Sequence, residues 1–259
     1  ALILLGESYM ENGDLVKAIQ HMEQVVEMIP EEADTWLTLS RIWQENGQSD
    51  RAFEVLSKGV LAVPNNPELL RSLGRAHLER RAPADALTYL AKAHEIQPEN
   101  TDGLLYLAQT QHHLGQNKQA LQLLEPFESK YQQNPRIAKV LGLVLLAMDD
   151  QASAEPKLLI AASHFPEDVE TVLTTADLIL TQQELSPDKP DVEKLEKLEN
   201  ILKNALDIDQ DNFQYRLALA DIKRLKGNND QAVEAYRQLA EVSSPDMDTS
   251  QWHLSYGLG

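Results

Sequence analysis

The chain has 259 residues and carries 41 Asp and Glu against 23 Lys and Arg, which gives a formal net charge of -18. This excess of negative charge disfavours nucleic acid and anionic membrane surfaces as partners, because both are negatively charged themselves. Without cysteine there are no disulfides, thiolate metal ligands or thiol nucleophiles, and no apolar run approaches the roughly 18 residues of a membrane span. The abundance of Leu, Ala, Glu and Gln favours helix.

The first element in chain order is a turn that the sequence repeats. The segments NGDLVKAI (12–19), NGQSDRAF (46–53), LGQNKQAL (114–121) and KGNNDQAV (226–233) each carry a glycine with an alanine five residues later. An Asn-Gly pair between strands would predict a β-hairpin. The flanking apolar residues instead have helical spacing, as in Trp36, Leu39 and Trp43 before the second turn. The sequence therefore predicts a hairpin of two helices around each turn.

The hairpins follow a period of 34 residues, which alanines and prolines both keep. The alanines are Ala18, Ala52, Ala86, Ala120, Ala154 and, after one interruption, Ala232. The prolines are Pro30, Pro64, Pro98 and Pro166. A glycine tolerates the left-handed conformation that ends a helix, a small alanine lets two helices cross closely, and a proline stops the second helix. The period therefore predicts a stack of similar hairpins.

This pattern resembles the tetratricopeptide repeat (TPR), a 34-residue unit with the signature W-x2-L-G-x2-Y, A-x3-F and P. The units that the resemblance implies are 1–32, 33–66, 67–100, 101–134, 135–168, 169–212 and 213–246. Members of this family are all-α, so we expect a right-handed superhelical solenoid of about seven units. Residues 247–259 would begin a further or capping helix.

Several positions depart from the signature. Arg81 and Asp149 replace the turn glycine, Gln132 and Gln210 replace the closing proline, and Leu198 replaces the alanine of the sixth unit. The resemblance remains specific for the fold despite these departures.

The sixth unit, 169–212, is ten residues longer than the period. Pro187 and Pro190 break the chain there, and an apolar stripe resumes at Val192. We expect a longer loop followed by a second helix that is extended at its start. This ledge, residues 185–205, is either tolerated loop growth or a surface for a partner or a second copy of the chain.

The ends of the sequence fall within repeats, since residue 1 takes the third position of a unit and no Met precedes it. We therefore expect either a processed protein or an excised fragment. The cut ends are a second place where self-association is expected.

The resemblance also implies a concave groove, lined by the first helix of each hairpin, that holds a peptide or a partner helix. The predicted groove residues are Thr38, Arg41, Arg71, Ser72, Arg75, Tyr106, Gln109, Arg136 and Lys139. The early groove is then basic and fits an acidic peptide, while Asp177 and Asp221 make the late groove acidic. The alternative is that the arginines are solvated or paired with Glu68 and Glu79.

One TPR subclass clamps the terminal carboxylate of chaperones with lysine, asparagine and arginine at set groove positions. Ile3 and Glu7 occupy two of those positions here, and Thr38 replaces an asparagine. We do not expect chaperone-tail binding.

No catalytic motif is visible, because the chain lacks G-x-S-x-G, H-E-x-x-H and a phosphate-binding glycine loop. His77 and His112 lie near the ends of neighbouring first helices, but no third ligand is spaced to complete a metal site. We therefore predict no enzymatic activity, no metal and no cofactor.

Two functions follow from these patterns. The favoured one is a non-enzymatic adaptor of bacterial type that binds a partner through its groove and helps assemble a larger complex. The alternative is a substrate-docking or regulatory segment of a larger enzyme such as a glycosyltransferase. The compartment is either the cytoplasm or the bacterial periplasm and envelope.

Overall fold

The computed structural model describes residues 2–128, 134–186 and 189–242. Its internal contacts divide the chain into two compact bodies, residues 1–132 and residues 133–259. We call them the N-terminal body and the C-terminal body. All regular structure in the described ranges is helical, which confirms the predicted all-α fold.

The N-terminal body holds eight helices over its described residues. They are α1 Leu2–Glu11, α2 Leu15–Met28, α3 Ala33–Glu45, α4 Ser49–Ala62, α5 Pro67–Glu79, α6 Pro83–Ile96, α7 Thr101–His113 and α8 Asn117–Glu128. Successive helices pack on one another. The first helices of neighbouring hairpins are also in contact, for example α3 with α5. The body is therefore a stack of helical hairpins.

The C-terminal body repeats this arrangement with six helices over its described residues. They are α9 Pro135–Ala147, α10 Gln151–His164, α11 Val169–Glu184, α12 Val192–Ile208, α13 Phe213–Leu225 and α14 Asn229–Val242. Successive helices again pack together. Each body is thus a solenoid of hairpin repeats. The predicted helix at 247–259 and the position of Gln132 lie outside the described residues.

The turns α1–α2, α3–α4, α5–α6, α7–α8, α9–α10 and α13–α14 each contain one residue in the left-handed region. Gly13, Gly47 and Gly115 have φ values of 76°, 73° and 72°. Arg81 and Asp149 take the same conformation, with φ of 58° and 64°. Two non-glycine residues therefore keep the turn and bear the strain that glycine avoids.

The second helices end where the prolines predict. Helix α2 ends at Met28 and α4 at Ala62, in each case two residues before a proline of the periodic series. The first helices start with a side-chain cap in several hairpins. In α5 the Oδ1 of Asn66 accepts hydrogen bonds from the backbone N–H groups of Glu68 and Leu69, at 3.0 and 2.9 Å. Local signals therefore set both boundaries.

The periodic alanines lie in the interior, where they are at most 2% exposed. Opposite them, the first helices also carry small residues. A Cβ added to Gly74 would lie 2.6 Å from the Cγ of Leu90 and 3.4 Å from the carbonyl oxygen of Ala86. The helices of this hairpin are thus too close for any larger side chain on α5 at that point. Leu198, which replaces the alanine of the sixth unit, is also fully buried.

The ten extra residues of the sixth unit lengthen three parts of its hairpin. Helix α11 has 16 residues and α12 has 17, where α3 and α4 have 13 and 14. The connection between α11 and α12 is longer as well. We expected the loop and the extended start of α12, but not the extended end of α11. The buried side chain of Gln183 explains the latter, because its Oε1 accepts the backbone N–H of Asp191 at 2.6 Å and ties the two helices together.

Candidate functional site

A cleft of about 510 Å³ lies between α3 and α5, the first helices of two neighbouring hairpins in the N-terminal body. Its lining side chains come mainly from these two helices. They are Asp34, Leu37, Thr38, Ser40, Arg41, Gln44, Leu56, Glu68, Ser72 and Arg75. Four predicted groove residues therefore meet in one place.

The middle of the cleft has small or apolar side chains. Thr38 and Ser72 are half-buried and hold the same position in their repeats. Leu56 of α4 is 2% exposed, so it belongs to the core beneath. The Oγ of Ser40 donates to the carbonyl oxygen of Ala52 at 3.3 Å, which ties α3 to α4. The cleft is thus built on a rigid hairpin.

The two ends of the cleft carry opposite charges. Asp34 and Glu68 lie in the first turns of α3 and α5. Arg41 and Arg75 follow them by seven residues on the same helices. Seven residues make nearly two helical turns and about 10.5 Å of rise, so acid and arginine share a face at different heights.

The arginines differ in how firmly they are held. Arg41 is exposed, and no described residue forms an ion pair with it. Arg75 lies with its Nε 3.5 Å from the Oε1 of Glu79, and its side chain is 43% exposed. Arg75 therefore does pair with Glu79, as the alternative interpretation of the sequence expects. The contact is loose, because the buried Nε of Arg75 donates no hydrogen bond.

Comparison with known proteins decides the family. A sequence model of the tetratricopeptide repeat matches residues 9–76 and 77–144, and a second model of this repeat matches residues 213–246. These matches cover more than half of the chain. The chain belongs to the TPR family. The TPR fold is typically a non-catalytic protein-interaction module.

Solved TPR structures share the fold. A TPR protein from Parabacteroides merdae is 14% identical, covers 96% of this chain and 95% of its own, and gives a TM-score of 0.64. Pseudomonas aeruginosa pilF is 17% identical over 83% of this chain and 93% of its own, with a TM-score of 0.63. YrrB, a TPR protein with an unusual peptide-binding site, is 16% identical, covers 66% of this chain and 87% of its own, and gives a TM-score of 0.56. No curated protein matches the chain.

The structure places Arg71 outside the TPR cleft. Its side chain is only 16% exposed, and its Nη1 approaches the Oε1 of Gln97 at 3.5 Å, while its Nη2 lies 3.9 Å from Glu68. Its methylene groups pack towards Gly103 at the start of α7. Arg71 thus contacts neighbouring TPR hairpins. Its predicted role in the groove stays a prediction.

Tyr106 and Gln109 lie on α7, also outside this cleft, and both are half-buried. Tyr106 packs against the buried cluster that contains Leu90 and Leu107. Much of its ring is therefore used in the core of the TPR stack.

Arg136 and Lys139 belong to α9 of the C-terminal body. Arg136 is exposed, whereas Lys139 forms an ion pair with Asp168 at the start of α11. Burial alone would raise the pKa of Asp168, but hydrogen bonds from Lys139 and Thr171 outweigh it and hold that pKa below its ordinary value. Lys139 therefore stabilises the junction between two TPR hairpins.

The late acids also differ in their surroundings. Asp177 is exposed on α11. Asp221 on α13 accepts a hydrogen bond from the hydroxyl of Tyr236 at 2.6 Å and lies 3.7 Å from Arg224. The acidic character expected of the late TPR groove is thus partly neutralised at Asp221.

The two histidines weighed as metal ligands have other contacts. The ring of His77 stacks on Tyr89 at 5.3 Å and meets the edge of Phe53 at 5.0 Å. The Nδ1 of His112 is 2.8 Å from the Oδ1 of Asn117. Within the described ranges, no cluster of three or more His, Asp or Glu side chains has the geometry to hold a metal ion. In those same ranges no helix combines the length and apolar character needed to cross a bilayer.

The sequence reasoning did not count the two acids of the cleft among its binding residues. The predicted groove residues include Arg41 and Arg75, but neither Asp34 nor Glu68. The signal was present, because each acid precedes a cleft arginine by seven residues on a first helix.

Proposed function

We propose that this chain is a non-enzymatic adaptor that binds a peptide or partner segment in the concave groove lined by the first helices of its TPR hairpins. The observation that carries the proposal is the cleft between α3 and α5, where charged and hydroxyl side chains surround a small apolar floor. Arg41 and Arg75 supply donors for a carboxylate of the partner. Thr38 and Ser72 supply hydroxyl groups beside them.

Arg41 does not belong to the apolar core, which supports a binding role for it. The core of the N-terminal body consists of buried apolar residues such as Leu39, Leu56 and Leu73. Arg41 is exposed instead, with its charge at the surface of the cleft. Since TPR stacks are held by contacts between neighbouring hairpins, residues that face the groove are available for recognition.

We further propose that this binding serves the assembly of a larger complex in a bacterial cell. The support is that similar TPR structures come from Pseudomonas aeruginosa and Parabacteroides merdae. A scaffold needs a surface for each component, and the ledge at 185–205 offers a second one, with Leu185 80% exposed.

The test starts with capture of a partner from cell extract by the intact chain, followed by mapping of the bound segment. Titration of that segment should show that Arg41→Ala with Arg75→Ala weakens binding more than tenfold, because each charge-assisted contact contributes about 1.5–3 kcal/mol. Arg51→Ala on α4 is the matched control, since Arg51 is an exposed arginine outside the cleft. Circular dichroism should show equal helix content in all variants.

The competing outcome is also defined. If the arginine pair has no effect while shortening of the 185–205 ledge abolishes binding, the partner binds the ledge and the groove proposal is wrong. Binding through the cleft should also weaken as salt rises, because ions screen the attraction between its charges and those of the partner.

A further inference from the structure

The charges of the α3–α5 cleft form two matched pairs. Asp34 and Arg41 lie on α3, and Glu68 and Arg75 take the same repeat positions on α5. Both acids therefore lie at one end of the cleft and both arginines at the other, about 10.5 Å further along the helices. The inference below rests on the proposed function, since it concerns the ligand of the same cleft.

These four charges are available to a ligand. Asp34 and Arg41 are exposed, and neither forms an ion pair with any described residue. The side chains of Glu68 and Arg75 are 60% and 43% exposed and have only loose partners within α5, at 3.9 and 3.5 Å.

The two ends of the cleft do not neutralise each other. The arginines follow the acids by about 10.5 Å of helix rise, and among the described residues neither Asp34 nor Glu68 forms an ion pair with Arg41 or Arg75. The cleft thus keeps a negative end and a positive end.

The spacing of the two charged ends fits an extended ligand. An extended chain rises about 3.3 Å per residue, so three residues cover the distance between the two charged ends.

We propose that the α3–α5 cleft recognises an extended peptide segment that carries one basic and one acidic side chain two to four residues apart. The basic side chain meets Asp34 and Glu68, and the acidic side chain meets Arg41 and Arg75. Between them the peptide backbone lies against Thr38, whose side chain is small. A uniformly acidic segment binds less well, because it brings like charges together at the negative end.

The experiment selects ligands without assuming their sequence. A displayed library of random peptides is panned against the intact chain, and the enriched peptides are synthesised with the base or the acid replaced by Gln. Replacing the base should weaken binding to the wild-type chain at least tenfold. On the Asp34→Asn/Glu68→Gln variant the same replacement should change affinity less than twofold, since the partner charges are gone.

The controls separate the possible failures. Glu54→Gln, an exposed acid of α4 outside the cleft, should behave as wild type. Enrichment of purely acidic peptides that depend on Arg41 and Arg75 but not on Asp34 and Glu68 would overturn the inference and leave the proposed function standing. If no peptide is enriched, or if binding is unchanged by substitution at both ends, the cleft is not a peptide site and the proposed function fails as well.

Discussion

Gly74 on α5 provides the sharpest test of how closely the helices of a hairpin pack. An alanine there would place its Cβ 2.6 Å from the Cγ and 2.8 Å from the Cδ2 of Leu90. Leu90 is fully buried, so its side chain cannot move out into solvent to make room. Overpacking of this kind costs about 1–3 kcal/mol, from which the usual gain of about 0.5–1 kcal/mol for Gly→Ala in a helix is subtracted. We predict that Gly74→Ala lowers the free energy of unfolding by up to about 2.5 kcal/mol.

Gly103 on α7 is the matched control, because it is also a buried helical glycine. A Cβ there has no contact closer than 3.4 Å, so Gly103→Ala should stabilise the protein by about 0.5–1 kcal/mol. The two variants share the intrinsic helix gain, and the difference between them isolates the overpacking cost.

The assay is denaturant unfolding followed by tryptophan fluorescence. The chain has three tryptophans, and in a Trp252→Phe background only Trp36 and Trp43 of α3 remain, so the signal reports the N-terminal body. Midpoint and slope together give the change in unfolding free energy. Equal changes for Gly74→Ala and Gly103→Ala would refute the close packing of α5 on α6.

Three further predictions concern the same body. Arg81→Gly should raise the free energy of unfolding by about 0.5–1 kcal/mol, because glycine removes left-handed strain of about 1–2 kcal/mol at a smaller entropic cost. Arg81→Ala keeps a Cβ and should give no such gain. Equal effects of the two substitutions in denaturant unfolding would contradict this explanation. Ala86→Leu should lower stability by about 1–3 kcal/mol, whereas Ala84→Leu at an exposed site should be tolerated, as thermal melts would show. Burial lowers the pKa of His77 and of His94 in the folded chain. As the pH drops, these histidines are therefore protonated at a higher pH in the unfolded chain than in the folded one. The free energy of unfolding should then fall as the pH drops below the ordinary histidine pKa of about 6.5. Between pH 7 and 5, the free energy of unfolding should fall less for the double variant His77→Tyr/His94→Gln than for the wild-type chain. An equal fall in both would show that these histidines do not cause it.

Much of the fold could be read from the sequence because its signals are local. A glycine or its substitute at each turn, an alanine at each crossing and a proline after the second helix act on the backbone within a few residues. Even Arg81 adopts the left-handed turn, since the helices on both sides fix its conformation. The extended end of α11 escaped prediction, because it depends on the Gln183 contact with Asp191 across the loop.

The candidate site depended on contacts that sequence spacing does not contain. Repeat positions placed Arg71 and Arg75 on the same groove, yet Arg71 contacts Gln97, 26 residues away, while Arg75 lines the cleft. Lys139 is predicted to face the groove, and the structure adds an ion pair with Asp168, 29 residues away. The sequence by itself determined the repeat, its turns and most of the helix boundaries, because these follow from backbone chemistry. Only the tertiary structure decided which charges face a cleft and which join one hairpin to the next, because long charged side chains follow whichever partner packing brings within reach.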